Sequence, residues 1–177
     1  MKKCIVQYWI PSSEYSEPTY NNLLQARDQK SLVEVSTKSF EQYANKYGHD
    51  FKRIDKKKIN FRHPTFERFD LWLNDSWWEE YDEIMYVDCD VFAMPNAPDI
   101  FQSYKSLDTF KVCDHPAFQM ATKPEQINHI YHGLLKECKL EDVKNYGFQP
   151  GVFILTKTAR DIMRPYIEKF KELNDHD

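Results

Sequence analysis

From Ile84 to Val87 the chain is continuously hydrophobic, and it then meets two carboxylates, Asp88 and Asp90, separated only by Cys89 and followed at once by Val91 and Phe92. A short apolar run bounded in this way suits a strand buried on both faces, as at the centre of a parallel sheet. In an extended chain residues i and i+2 point the same way, so Asp88 and Asp90 are expected on one side and Cys89 on the other. Two such carboxylates repel each other unless a cation lies between them, and hard oxygen ligands suit Mg²⁺ or Mn²⁺. Open α/β sheets bind ligands beyond the carboxyl ends of their strands, which is where this pair falls. Asp-x-Asp also occurs in solvated loops and at helix caps. Here the hydrophobic residues on either side leave the acids little reason to face bulk water, and an unpaired buried charge is costly.

The remaining strand signals fit the same sheet. Cys4 to Ile10 reads as a first strand, Phe51 to Ile54 as a second, Thr109 to Cys113 as a fourth and Val152 to Thr156 as a last. Helical spacing covers Thr19 to Asp28, Leu32 to Tyr47, a stretch opened by Pro64, Pro124 to Glu137, and Thr158 to Leu173. In the second of these, Leu32, Val35, Phe40, Tyr43, Ala44 and Tyr47 define the expected core face, with Ser31 as its cap and Gly48 as its stop. The adjacent Trp77 and Trp78 cannot share one helical stripe, so one of them is expected to be partly exposed. Strands alternating with helices predict an α/β fold with a mainly parallel central sheet covered on both faces.

A length of 177 residues without a Pro-, Gly- or Ser-rich linker predicts a single domain over 1–177. A net charge of −4 argues against general nucleic-acid binding. The run Lys56, Lys57 and Lys58 reads most simply as a solvated loop rather than a phosphate patch. No stretch has the length of a membrane span and no signal peptide is visible, which makes the cytoplasm the expected location. The four cysteines, Cys4, Cys89, Cys113 and Cys138, lack C-x-x-C spacing and read as reduced.

With these residues in view, the chain resembles metal-dependent glycosyltransferases of the GT-A type, a Rossmann-like fold, and most of all the glycogenin and lipopolysaccharide galactosyl- and glucosyltransferase family. Tyr81 through Phe92 is similar to the family's metal motif. Tyr146 through Leu155 is similar to the segment lining the donor sugar, with Gln149 in place of the customary Asn and Pro150 in place of a small residue. Phe66 to Phe69 places Arg68 where the family has a basic residue near the donor, and Asn174 to Asp177 resembles a later acidic segment in which His176 stands for Gln.

The resemblance implies a nucleotide-diphosphate sugar donor, for instance a UDP-sugar, and a carbohydrate or other hydroxyl acceptor. It implies metal ligation by Asp88 and Asp90, and donor contacts from Gln7, Tyr8, Trp9, Ile10, Arg68, Asp88, Asp114, Gln149 and Gly151, with Asp55 as a further candidate for the base. Asp175, His176 and Asp177 are the candidates for catalytic groups. The further metal ligand that relatives carry downstream, commonly His, has no counterpart here. The likeness therefore covers a donor-binding portion, whether by truncation, as a minimal natural form, or as a domain completed by another chain.

Two other readings accompany this one. A haloacid-dehalogenase-type phosphohydrolase also uses Asp-x-Asp after an apolar strand, with the first Asp as nucleophile. In that family the motif opens the fold, and a later strand is followed by acids, whereas Val152 to Thr156 is followed by Lys157 and Thr158. The other alternative is a catalytically silent nucleotide-sugar-binding module.

Overall fold

The computed structural model describes residues 1–11, 30–59, 61, 64–103, 111–114 and 148–175. The expected helices Thr19 to Asp28 and Pro124 to Glu137 lie outside the described residues. Strands β1 (Lys3–Tyr8), β2 (Asp50–Ile54), β3 (Glu83–Val87), β4 (Lys111–Asp114) and β5 (Phe148–Thr156) form one sheet in the order β2-β1-β3-β5-β4. β1 runs parallel to β2 and β3, while β5 is antiparallel to both β3 and β4. Four strands therefore point one way and β5 alone runs against them. The mainly parallel sheet is as expected; the reversal of β5 is not legible in its own residues.

Both faces of the sheet are covered, and the strands alternate accordingly. Cys4, Val6 and Tyr8 of β1, Ile84 and Tyr86 of β3, and Phe153 and Leu155 of β5 pack against one set of helices: α2 (Asp70–Leu73), α3 (Ser76–Glu80) and α5 (Lys157–Asp175). Ile5, Met85, Val87 and Ile154 face the other way, against α1 (Lys30–Tyr47) and the single turn α4 (Ile100–Ser103). Burying both faces explains why β3 reads as an uninterrupted apolar run.

Helix α1 corrects the sequence-based face. Its buried residues are Val33, Ser36, Thr37, Phe40, Tyr43 and Ala44, while Val35 is 60% exposed. Two hydroxyl residues occupy core-facing positions, which hydrophobic periodicity alone reads as surface. They are buried because Gln7 of β1 answers them, donating from Nε2 to Ser36 Oγ (2.9 Å) and accepting from Thr37 Oγ1 at Oε1 (2.7 Å). Ser31 is no cap, since the helix already includes Lys30. Gly48 does end it: its φ of 72° is a left-handed conformation natural to glycine, and the His49 amide reaches back to the Ala44 carbonyl (2.9 Å).

The stretch opened by Pro64 is not one helix. A 3₁₀ segment (Pro64–Phe69) leads into the short helices α2 and α3. Trp77 and Trp78 are both buried, contrary to expectation. They occupy one turn rather than a long helix, and each indole finds an acceptor: Asp70 Oδ2 for Trp77 (2.8 Å) and the Leu71 carbonyl for Trp78 (2.7 Å). Helix α5 starts one residue earlier than expected, with Thr156 Oγ1 accepting the Ala159 amide (3.2 Å) in the manner of an N-cap. Its far end returns to the 3₁₀ segment, where Phe170 packs on Phe61, Phe66 and Phe69.

Candidate functional site

Strand β3 ends at Val87, and the acid pair lies just beyond it in a turn closed by the Val91 amide on the Asp88 carbonyl (3.2 Å). The expected extended geometry across Asp88 and Asp90 is thus replaced by a bend. The chain leaves the sheet as soon as β3 loses its partners, and Asp90 is carried out to an exposed position while Asp88 stays half-buried.

Asp88 is held on several sides. Its amide donates to the Gly151 carbonyl of β5 (2.7 Å), and its Oδ1 accepts from the Tyr86 hydroxyl and lies 3.9 Å from Arg68 Nη1. Tyr86 can do this because it lies two residues earlier on the same side of the strand; its ring stacks on Phe153, with centroids 4.8 Å apart, and lies under the Arg68 guanidinium. Asp88 Oδ2 lies over Gly151, where a Cβ would sit 2.9 Å away. Gly151 therefore supplies the space that this carboxylate occupies.

Electrostatics at the turn follow from burial. Desolvation pushes the Asp88 carboxyl above its ordinary value, with the neighbouring Asp90 charge acting in the same direction and Tyr86 and Arg68 acting against it. Burial likewise pushes the Cys89 thiol up to about 11, so it remains protonated at neutral pH. Burial, followed by the Asp88 charge, raises the Tyr86 hydroxyl well above its ordinary value, which keeps it a donor to Asp88.

The backbone around the acids is fastened to α1 by a line of side chains that sequence reasoning did not single out. Gln7 Nε2 approaches the Asp88 carbonyl (3.4 Å), and Ser36 Oγ donates to the Val91 carbonyl (2.5 Å). Ser39 Oγ accepts the Ala93 amide (3.0 Å), and the Tyr43 and Tyr47 hydroxyls reach the Pro98 and Ala97 carbonyls. The signal was present as hydroxyls at 36, 39, 43 and 47, one helical face, but nothing local says that they meet a loop fifty residues away.

The other sequence candidates are distributed unevenly. Gln7 is fully buried and occupied by α1, and Tyr8 turns into the opposite core layer, donating to Asp70 Oδ2 (3.1 Å). Ile10 is buried with that same layer. Trp9 is partly exposed and carries the Arg53 guanidinium over its ring, 4.8 Å from the centroid. Asp55 is exposed just past β2. Asp114 ends β4, and Gln149 pairs with Cys113 at the start of β5, so the backbone at both positions lies along the same edge of the sheet as Asp88. Asp175 is the last residue of α5, whereas His176 and Asp177 lie outside the described residues.

The reversed strand explains why this edge is rich in candidates. An antiparallel β5 begins where its neighbours end, so Gly151 and the residues before it are delivered directly to Asp88 and Asp114. The donor set also suits a hard divalent cation. It offers carboxylate oxygens only, and among the described residues no hydrogen bond is donated to Asp88 Oδ2 and no cluster of three or more His, Cys, Asp or Glu side chains is present. Mg²⁺-type ions are commonly held by one or two carboxylates, with waters and substrate phosphates completing the shell.

No protein-family profile matches the sequence, and no curated protein matches it. Solved structures do match in fold. A glycosyltransferase involved in the glycosylation of the major capsid of PBCV-1 superposes with a TM-score of 0.56 at 12% identity, covering 97% of this chain and 68% of that one. The galactosyltransferase LgtC, in complex with donor and acceptor sugar analogs, superposes with a TM-score of 0.50 at 14% identity, covering 96% of this chain and 65% of that one. The chain thus spans about two thirds of the length of either, and among the described residues no helix is long and apolar enough to cross a membrane. In architecture this protein is an α/β domain of the GT-A type, resembling structures of glycosyltransferases.

Proposed function

We propose that this chain is the donor-binding part of a glycosyltransferase that takes a sugar from a nucleoside diphosphate and passes it to an acceptor hydroxyl. The observation that carries the reading is Asp88: a carboxylate fixed by Tyr86 and Arg68 at the carboxyl end of the central strand, with its second oxygen over the bare Cα of Gly151. Such a group is set to ligate rather than to stabilise the fold. Asp88 and Asp90 would hold Mn²⁺ or Mg²⁺, which when bound neutralises the diphosphate oxygens as the leaving group departs.

The protein's own residues supply orientation and charge. Arg68 and Tyr86 fix the Asp88 carboxylate, so little reorganisation is needed when the donor arrives. The backbone of Gly151, Gln149 and Asp114 runs along the same edge as that carboxylate, which is where the sugar would be received. Both fold neighbours are described as glycosyltransferases, and one was solved with donor and acceptor sugar analogs, which supports this class of substrate. The acceptor hydroxyl and the group that receives its proton belong to parts of the reaction for which Asp175, His176 and Asp177 are the candidates.

Calorimetric titration with UDP-, GDP- and ADP-sugars, each with and without Mn²⁺, tests the reading. At least one nucleotide sugar is expected to bind more tightly with the metal. Equal affinity in its presence and absence for every donor refutes the assignment. Metal-dependent binding without transfer or hydrolysis would instead identify a silent binding module.

A further inference from the structure

We propose that Arg53 is a second cationic contact for the diphosphate of the donor, and that Trp9 serves as the platform that holds its guanidinium there. The assignment rests on the donor-site reading above and extends it to residues outside the acid-pair motif. Arg53 belongs to β2, pairs in register with Gln7 of β1, and Gln7 pairs in turn with Val87, the residue before Asp88. All three positions fall at the carboxyl edge of parallel strands. Phe51 of β2 packs in the layer of α1, so by strand alternation Arg53 rises on that same side, whereas Arg68 reaches Asp88 on the side of Tyr86. The two guanidiniums thus belong to opposite faces of the sheet at its carboxyl edge.

Its pairing sets Arg53 apart. Of the described arginines, Arg68 lies against Asp88, and Arg160 and Arg164 lie against Asp75. Arg53, partly buried, has no carboxylate within ion-pair distance among the described residues; its recorded partner is the Trp9 ring. Trp9 is anchored for this by its amide on the Ile54 carbonyl (2.8 Å). A guanidinium lying on an indole keeps its in-plane N–H groups free for an anion. Through the register Arg53–Gln7–Val87, this guanidinium stands at the same edge of the sheet as the acid turn, where a phosphate held by the acids would meet its field. This arrangement gives Trp9 a task beside the base contact expected of it, since Arg53 covers one face of its ring.

The test uses the full chain with Mn²⁺ and whichever of UDP or GDP binds the wild type more tightly, together with the corresponding monophosphate. Arg53→Met is expected to weaken diphosphate binding about tenfold, to narrow the preference for diphosphate over monophosphate, and to flatten the fall of affinity with added KCl. Trp9→Leu is expected to reproduce part of that loss, while Trp9→Phe, which keeps a ring under the guanidinium, retains most of the affinity. If Arg53→Met unfolds, Arg53→Lys replaces it and is expected to lose diphosphate preference severalfold, since an ammonium lacks the planar fork. Unchanged diphosphate binding in the Arg53 variant overturns this assignment alone, as does an equal loss for diphosphate and monophosphate with the salt dependence unaltered. A wild-type chain indifferent to Mn²⁺ overturns the donor-site reading and this assignment with it.

Discussion

Asp88 and Asp90 stand two residues apart but differ in what they risk on substitution. Asp90 is exposed and makes no hydrogen bond among the described residues, so Asp90→Asn should leave stability within about 0.5 kcal/mol of wild type while removing the metal dependence of donor binding. Thermal unfolding and calorimetry on the same preparation check both halves; a matching loss of stability would mark a structural acid. Gly151 offers a sharper probe of the site's geometry. A Cβ there would sit 2.9 Å from Asp88 Oδ2, and the short carboxylate, being the movable partner, is displaced rather than the strand. Gly151→Ala should therefore weaken metal-assisted donor binding roughly ten- to hundredfold with little change in unfolding midpoint. A variant that binds like the wild type would show that the close approach has no functional role.

Among the elements, the loop after β2 and the 3₁₀ segment behave as one piece because of Glu67. This carboxylate is fully buried and accepts the amides of Lys58 (2.8 Å), Ile59 (3.3 Å) and Phe61 (3.0 Å). Through the Lys58 amide the lysine run is fastened to the segment that carries Arg68, while Lys56 and Lys58 themselves remain exposed, as expected of a solvated loop. Glu67→Gln retains one acceptor but sets an NH₂ against backbone amides, at a cost of about 1–3 kcal/mol. Urea unfolding should show that loss, and donor affinity should fall with it because Arg68 sits on the loosened segment. A loss of stability with donor affinity intact would separate the loop from the site. Helix α1 makes the complementary attachment, tying the segment after Asp90 through Ser36, Ser39, Tyr43 and Tyr47.

For the molecule as a whole, the pole opposite the acid turn carries one acid-sensitive network. Hydrogen bonds from Lys2, Lys52 and Tyr81 hold the Glu80 carboxyl down at about 2, and hydrogen bonds from Tyr81 and Lys2 lower Asp50 in the same network. A carboxyl whose folded pKa is depressed favours the fold above its unfolded value and loses that contribution as pH falls through the folded one. The Glu80 contribution is therefore present above about 4.5 and vanishes towards about 2. Glu80→Gln should flatten the pH dependence of stability across that window, as read from urea midpoints. An unchanged slope would assign acid sensitivity elsewhere. Because the network joins the start of β1 to β2 and α3, donor affinity at neutral pH should be unaffected by the substitution.

The residues by themselves determined the layered α/β class, the central strand leading up to Asp88, the stop at Gly48 and the position of the acid pair, because each depends on local chemistry: apolar runs, a left-handed glycine, adjacent charges. Arg68 was legible only as one residue within a familiar pattern, and it does reach Asp88. Side-chain hydroxyls misled the periodic reading of α1, since Ser36 and Thr37 look like surface until Gln7 is placed beneath them. The bend at the acid turn, the burial of both Trp77 and Trp78, the reversal of β5 that brings Gly151 under Asp88, and the stacking of Arg53 on Trp9 were decided by tertiary structure alone. The Gly151–Asp88 approach and the Arg53–Trp9 stack join segments far apart in the chain, and no local property of either segment specifies its partner.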